Sequence, residues 1–236
     1  MATVLAEALP SLPPLTDVWT DKILQPSLDS PGYVVSIWPL IRANGGSQLL
    51  STYNSFSEKM EEFIPDFAEL YPPSALHVTI ATLASFVDTS ISAQLDEDML
   101  RMFLDRARED PAWPEMDQLT VDICQPTLNQ EGVVGFFFNK CPAIADLREC
   151  LKRAAVGTPI ENRIKCPGIV HSTFLRFSRA GHDDQKFRER FVEVAKTWES
   201  VQISVDLVDI VRESSPYMHM ILPAKRHIVH SVPVSL

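Results

Sequence analysis

Glycine is scarce in this chain, with 8 residues among 236. Neither of the glycine-rich patterns that cradle phosphate groups occurs: there is no G-x-G-x-x-G and no G-x-x-x-x-G-K-[ST]. Their absence excludes a recognisable dinucleotide-binding turn and a recognisable Walker-type loop.

Cysteine is also rare, and its four positions contain no C-x-x-C pair. This spacing is not that of a zinc ribbon or a thioredoxin-like redox motif. We expect reduced, structural thiols, although the sequence leaves a disulfide between two of them open. The cysteines are Cys124, Cys141, Cys150 and Cys166.

Long apolar runs are absent: none approaches the roughly 20 residues that a bilayer span needs. The first ten residues have no basic segment before their apolar residues, which disfavours a secretory signal. Glu7, and the lack of arginine before position 42, disfavour a transit peptide. We therefore expect a cytoplasmic or nuclear protein that has no membrane partner.

Basic residues are outnumbered, and the formal net charge is −10. Such a charge opposes binding to long duplex nucleic acid, which depends on neutralising many phosphates. Residues 140–190 are an exception, with 11 Lys or Arg against six Asp or Glu. This region could attract a small anion locally, or its charge could simply be solvated helix surface.

What the chain does contain is an alternation of strand-like and helix-like segments. Residues 1–31 hold five prolines and show no period, so we predict an irregular N-terminal arm there. Several strands are joined by hairpins, which favours an α+β fold with antiparallel pairing over a doubly wound parallel sheet. The predicted strands are 32–40, 71–83, 119–126, 132–138, 166–177, 201–211 and 217–222, the predicted helices are 47–67, 92–110, 142–155 and 183–198, and an apolar tail follows.

Two of the predicted strands carry the same pattern, His-x-Thr-apolar. One copy is His77-Val78-Thr79-Ile80 and the other is His171-Ser172-Thr173-Phe174, and no other histidine has it. Residues two apart on a strand point to the same face, so each histidine should share a face with its threonine. Both copies follow a proline-containing turn and precede a helix-like segment, which indicates a weak internal duplication.

The pair of motifs supplies groups suited to phosphodiester chemistry. Imidazole titrates near neutrality, so one histidine can remove a proton from the attacking oxygen while the other protonates the leaving oxygen. The hydroxyls of Thr79 and Thr173 can donate hydrogen bonds to the phosphate oxygens. The sequence does not tell which histidine is the acid. The histidines could instead bind a metal, but neither H-E-x-x-H nor another ligand set accompanies them.

With these motifs the chain resembles the 2H phosphoesterase superfamily, which is named for two His-x-Thr/Ser-x motifs. The resemblance implies two pseudo-symmetric lobes, each an antiparallel sheet with helices outside, around a central cleft. One motif would lie in each lobe, within a single domain over residues 32–236. The implied substrates are 2′,3′-cyclic phosphates, 2′-5′ oligoadenylates or RNA 3′ ends, hydrolysed without a cofactor or metal. The acidic charge favours a nucleotide or a short RNA.

Other side chains are weaker candidates for substrate binding. Tyr217, Trp38 and Tyr33 could stack on a base, although such residues more often pack in the core or at a lobe interface. Arg176 lies an odd number of residues from His171, so on a regular strand it should point away from it. The other histidines are interpreted as structural: His182, His219, His227 and His230.

Two rival functions remain open at this stage. A non-catalytic protein could bind a nucleotide or an RNA end in the same cleft. A scaffold protein could use the proline-rich arm and the apolar tail as docking segments. Two complete motifs favour a phosphodiesterase, because binding alone does not need two imidazoles.

Overall fold

A computed structural model describes residues 31–66, 68–85, 94–115, 119–128, 134–138, 141–177, 185–213 and 227–234. The predicted N-terminal arm, apart from Pro31, and the predicted strand 217–222 lie outside these residues. The strands are β1 (Gly32–Ile37), β2 (Ala68–Leu70), β3 (Val78–Ala84), β4 (Thr120–Leu128), β5 (Val134–Phe138), β6 (His171–Phe177), β7 (Val201–Ser204), β8 (Leu207–Glu213) and β9 (His227–Pro233). The helices are α1 (Gly46–Met60), α2 (Glu97–Arg108), α3 (Pro142–Ala155) and α4 (Gln185–Ala195).

Within the described residues the strands form two sheets. The four-stranded sheet has the order β3-β1-β8-β9, and the five-stranded sheet has the order β2-β6-β5-β4-β7. Every strand pair in them is antiparallel. The α+β class with antiparallel pairing, predicted from the hairpins, is confirmed.

Each sheet packs against two helices. α2 and α3 pack against each other, and they contact β9 and β3 of the four-stranded sheet. α1 and α4 pack against each other and contact β7 and β4 of the five-stranded sheet. The inward side chains of α3 include Leu147, Leu151 and Ala154, as its periodicity predicts. None of the helices in the described segments is long and apolar enough to span a membrane.

Between β1, in the four-stranded sheet, and α1, which packs on the five-stranded sheet, the backbone at Gly45 closely approaches β7. Gly45 has φ +90°, a left-handed conformation that favours glycine. A Cβ at this position would collide with the carbonyl oxygen of Gln202, just inside β7. The neighbouring Asn44 forms an isolated antiparallel bridge with Ser204 at the end of that strand.

The single strand predicted over residues 201–211 is wrong. The chain breaks at Asp206, so that β7 pairs with β4 of one sheet and β8 pairs with β1 of the other. The buried positions change phase there, from Val201 and Ile203 to Val208 and Ile210. Side chains alternate between the two faces of a strand, so a shift of the buried positions by one residue reverses the face that is buried. Here the shift coincides with the change from the five-stranded to the four-stranded sheet.

The prediction of an apolar tail after residue 222 is also wrong. Residues 227–233 form β9, which pairs with β8 at the edge of the four-stranded sheet. Val229 and Val232 are buried, which explains why this segment is ordered as a strand.

Candidate active site

The first motif lies at the start of β3, an edge strand of the four-stranded sheet, and His77 directly precedes that strand. A short 3-10 turn, Pro73–Ala75, precedes it and turns the chain so that His77 is 8% exposed. The Nδ1 atom of His77 lies 2.9 Å from the carbonyl oxygen of Ala75. A carbonyl only accepts, so Nδ1 carries the proton of this bond, and the lone pair of the neutral ring is on Nε2.

Thr79 of the first motif begins a row of polar side chains that crosses the four-stranded sheet. It lies opposite Ser36 on β1, which lies opposite Asp209 on β8, which lies opposite Ser231 on β9. Directly opposed residues point to the same face of a sheet. At about 4.8 Å per strand, Asp209 is roughly 10 Å from Thr79 along the row.

Two members of this row are buried polar groups. Ser36 is fully buried, and its Oγ has no hydrogen-bond partner among the described residues. Asp209 is 3% exposed and accepts a short hydrogen bond from the hydroxyl of Ser231. Burial raises the pKa of the Asp209 carboxyl, while the Ser231 hydrogen bond and the charge of Arg42 oppose the rise. The face that bears Thr79 is therefore polar well beyond the motif.

The second motif occupies the first residues of β6, an interior strand of the five-stranded sheet. Ser172 and Phe174 alternate with His171 and Thr173 along it. Phe174 is fully buried, and its ring packs edge-on against Phe56 of α1. His171 and Thr173 consequently point to the face away from α1. His171 is partly exposed, whereas Thr173 is 4% exposed.

The structure brings the two motif strands together. β3 and β6 belong to different sheets, yet they approach within 8 Å between Cα atoms. The segment that leads into the first motif, Ala68–Leu70, is β2 and pairs with β6. Lys165, in the segment that leads into the second motif, exchanges two backbone hydrogen bonds with Thr82 of β3. The sheets thus meet along the strands that carry the histidines.

The weaker candidates for substrate binding lie in different parts of the structure. Tyr33 is 5% exposed and packs within the main hydrophobic core. Trp38 is partly buried against Val34 and Val211, and its Nε1 donates to the carbonyl of Ser74 at 2.7 Å. Arg176 lies on β6 opposite Glu69, and Tyr217 lies outside the described residues.

Sequence reasoning missed Asp209, which lies in the same polar row as Thr79, and Arg148, which bonds to both motif segments. Asp209 had a signal: the alternation begun by Val201, Ile203 and Val205 places position 209 on the apolar face, where a carboxylate is unusual. Arg148 of α3 had no signal, because its bonds to the carbonyls of Ile80 and Ile169 depend on tertiary packing.

No group of three or more His, Cys, Asp or Glu side chains that could hold a metal ion occurs in the described part of the chain. The four cysteines are free thiols, and burial raises the pKa of Cys150 to about 11. A thiol with so high a pKa is a poor nucleophile near neutrality.

Comparison with known proteins identifies the fold but no close relative. No family model matches the sequence, and no curated protein matches it. The structure of Escherichia coli LigT complexed with NADP+ is similar with a TM-score of 0.52 and 12% identity, covering 90% of this chain and 99% of that one. A structure described as a phosphoesterase gives a TM-score of 0.49 and 12% identity, covering 87% of this chain and 99% of that one.

The chain therefore has a LigT-like fold. That is the architecture the two His-x-Thr motifs implied, and the resemblance is confirmed at the level of the fold. At 12% identity the similarity concerns the fold, so the reaction must be argued from the site.

Proposed function

We propose that this protein is a metal-independent phosphodiesterase whose general acid and general base are His77 and His171. The observation that carries the proposal is the meeting of the two sheets along β3 and β6, because one His-x-Thr motif runs into the start of β3 and the other opens β6. Two imidazoles on opposed strands can act on the two sides of one phosphodiester.

The geometry of the first motif fits a proton-transferring imidazole. The hydrogen bond from Nδ1 to Ala75 fixes both the tautomer and the orientation of the His77 ring. Nε2 then accepts a proton when the ring acts as base, or donates one when it enters the reaction protonated. Thr79 and Thr173 donate hydrogen bonds to the non-bridging oxygens, where negative charge increases during phosphoryl transfer.

The proposed substrates are nucleotides or short RNAs with a 2′,3′-cyclic phosphate, a 2′-5′ linkage or a 3′ end to be trimmed. The LigT structure of the same fold contains NADP+, a nucleotide with a 2′-phosphate. The net charge of −10 supports a short substrate, since a long polyanion would be repelled by most of the surface. For a cyclic phosphate, water attacks phosphorus and the 2′ or 3′ oxygen leaves with the proton from the acid.

The decisive experiment measures turnover of 2′,3′-cyclic nucleotides, 2′-5′ oligoadenylate and a short RNA in the presence of EDTA. We expect His77→Ala and His171→Ala each to lower kcat/KM by roughly two to four orders of magnitude, the usual effect of losing a general acid or base. The chelator should leave wild-type turnover unchanged.

Two other histidines provide matched controls. His227 and His230 of β9 pair with Glu97 and Asp105 of α2, on the helix-covered side of the sheet. His227→Ala and His230→Ala should retain turnover within about threefold of wild type, because neither removes a proton-transferring group. Tight nucleotide binding without any product would instead indicate a non-catalytic binding protein. Loss of activity in EDTA that zinc or manganese restores would contradict the metal-independent mechanism.

A further inference from the structure

The free edge of β3 is covered by the segment that leads into the other motif. β3 is terminal in its sheet, so only one of its edges pairs with β1. On the other edge Thr82 donates to the carbonyl of Lys165 at 2.8 Å and accepts from its N–H at 3.0 Å. The main chain approaching His171 is therefore attached to the strand that follows His77.

The side chain of Arg148 also joins β3 to the segment that leads to His171. The Nε of Arg148 donates to the carbonyl of Ile80 at 3.2 Å, and its Nη2 donates to the carbonyl of Ile169 at 3.1 Å. Ile80 is the last residue of the first motif, and Ile169 lies two residues before His171. A single planar guanidinium thus bonds to the main chain of both motif segments.

The five-stranded sheet has a corresponding arrangement. The N–H of Tyr71, in the segment leading to His77, donates to the carbonyl of Phe174 at 2.8 Å. From α1, the hydroxyl of Tyr53 donates to the carbonyl of Tyr71 at 2.6 Å. Each motif strand therefore holds the approach to the other motif, and each connection is supported by one helix side chain.

We infer that Arg148 is a positioning residue that sets the separation of His77 and His171, an inference that rests on the proposed function. The half-buried guanidinium of α3 is a rigid, multiply donating group, so the two carbonyls it joins cannot move apart without losing a charged hydrogen bond. Acid–base catalysis by two histidines is sensitive to their spacing, because a displacement of about 1 Å can cost roughly a hundredfold in rate.

The test compares Arg148→Met and Arg148→Lys with Arg153→Met. Arg153 is a control on the same helix, since its guanidinium bonds to Asp110 and not to a motif. We expect Arg148→Met to lower kcat roughly 10- to 100-fold with a smaller change in KM, while Arg153→Met stays within about twofold of wild type. Arg148→Lys should recover part of the loss, because an ammonium can reach one carbonyl but does not have the guanidinium fork.

A second readout does not depend on turnover. Inorganic phosphate is titrated while NMR follows the ring signals of His77 and His171. In wild type and in Arg153→Met, both rings should report one Kd. In Arg148→Met the rings should report a Kd weakened at least about fivefold, or two different values. Thermal unfolding of the two methionine variants shows whether they have lost comparable stability.

Four outcomes are distinguishable. If wild type turns over and Arg148→Met matches Arg153→Met in kcat and phosphate affinity, the positioning role is overturned and the proposed function stands. If no diester is hydrolysed but phosphate binding weakens only in the Arg148 variant, the proposed function fails and the positioning role stands. Should Arg148→Met not fold, Arg148→Lys decides: reduced kcat at a wild-type midpoint supports the role, and wild-type kcat with wild-type phosphate affinity overturns it.

Discussion

At the scale of single residues, Asp209 is a buried carboxyl group whose surroundings oppose its ionisation. It is 3% exposed, and burial raises its pKa, with only the Ser231 hydroxyl and the charge of Arg42 acting against the rise. A carboxyl whose folded pKa exceeds its unfolded pKa favours folding below the unfolded value. That contribution is lost as the pH rises through the folded pKa.

The sign of this effect can be tested with Asp209→Asn, which keeps the shape and a carbonyl acceptor for Ser231. As the pH rises from below 3.8 through the raised pKa, wild type loses the contribution of the protonated Asp209, and the variant does not. We therefore expect the unfolding free energy of the variant to increase relative to that of wild type over this range. Denaturant unfolding at a series of pH values measures this difference. A difference that is constant with pH would show that the Asp209 carboxyl is not perturbed by folding.

At the scale of elements, β9 depends on burial at an edge. Val232 is 2% exposed and lies opposite Val208, whereas Ile228 on the same strand is 38% exposed. An edge strand pairs on one side only, so its inward side chains supply much of what holds it in the sheet. The stability of β9 should therefore depend on the inward positions.

Val232→Ala should destabilise the protein by about 1.5 kcal/mol, the value of two buried methylene equivalents. The matched variant Ile228→Ala removes more carbon from an exposed position and should cost no more than about 0.5 kcal/mol. Urea unfolding of the two variants measures both values. Equal losses would indicate that the two faces of β9 are buried to the same extent.

The strand pattern predicts most elements but not the sheets to which they belong. The bounds 142–155 of α3 follow from Pro142 and the spacing of Leu147 and Leu151, which are local features. β7 and β8 read as one strand because nothing local at Asp206 stops the alternation, although the buried phase changes there. β2 is three residues long, too short to produce a period.

In the candidate site, likewise, some residues could be predicted from the sequence and others could not. The His-x-Thr motifs were visible because a repeated four-residue pattern survives without knowledge of the fold. The hydrogen bonds of Arg148 join residues that are 68 and 21 positions away from it. No local pattern contains such information, because it arises only when α3 packs beside both motif segments.

At the scale of the whole molecule, the chain alternates between the two sheets instead of completing one before the other. β1 and β3 belong to the four-stranded sheet, but β2 between them belongs to the five-stranded sheet. β7 and β8 are consecutive and lie in different sheets. Buried residues of both sheets form one main hydrophobic cluster. Neither half can therefore be completed without the other, which predicts a single cooperative unfolding unit.

Variants in the two sheets test this cooperativity. Val232→Ala weakens the four-stranded sheet, and Phe174→Leu weakens the five-stranded sheet by removing the edge-on contact with Phe56. We expect each variant to lower the midpoint of one common transition in calorimetry, by roughly 2 to 4 °C per kcal/mol lost. The indole N–H NMR signal of Trp198, which packs on Phe56 in the five-stranded half, should follow that transition in both variants. If Val232→Ala instead produced a second, earlier transition that left Trp198 unchanged, the two halves would be independent units, and a connection such as Arg148 could not hold their histidines at a fixed spacing.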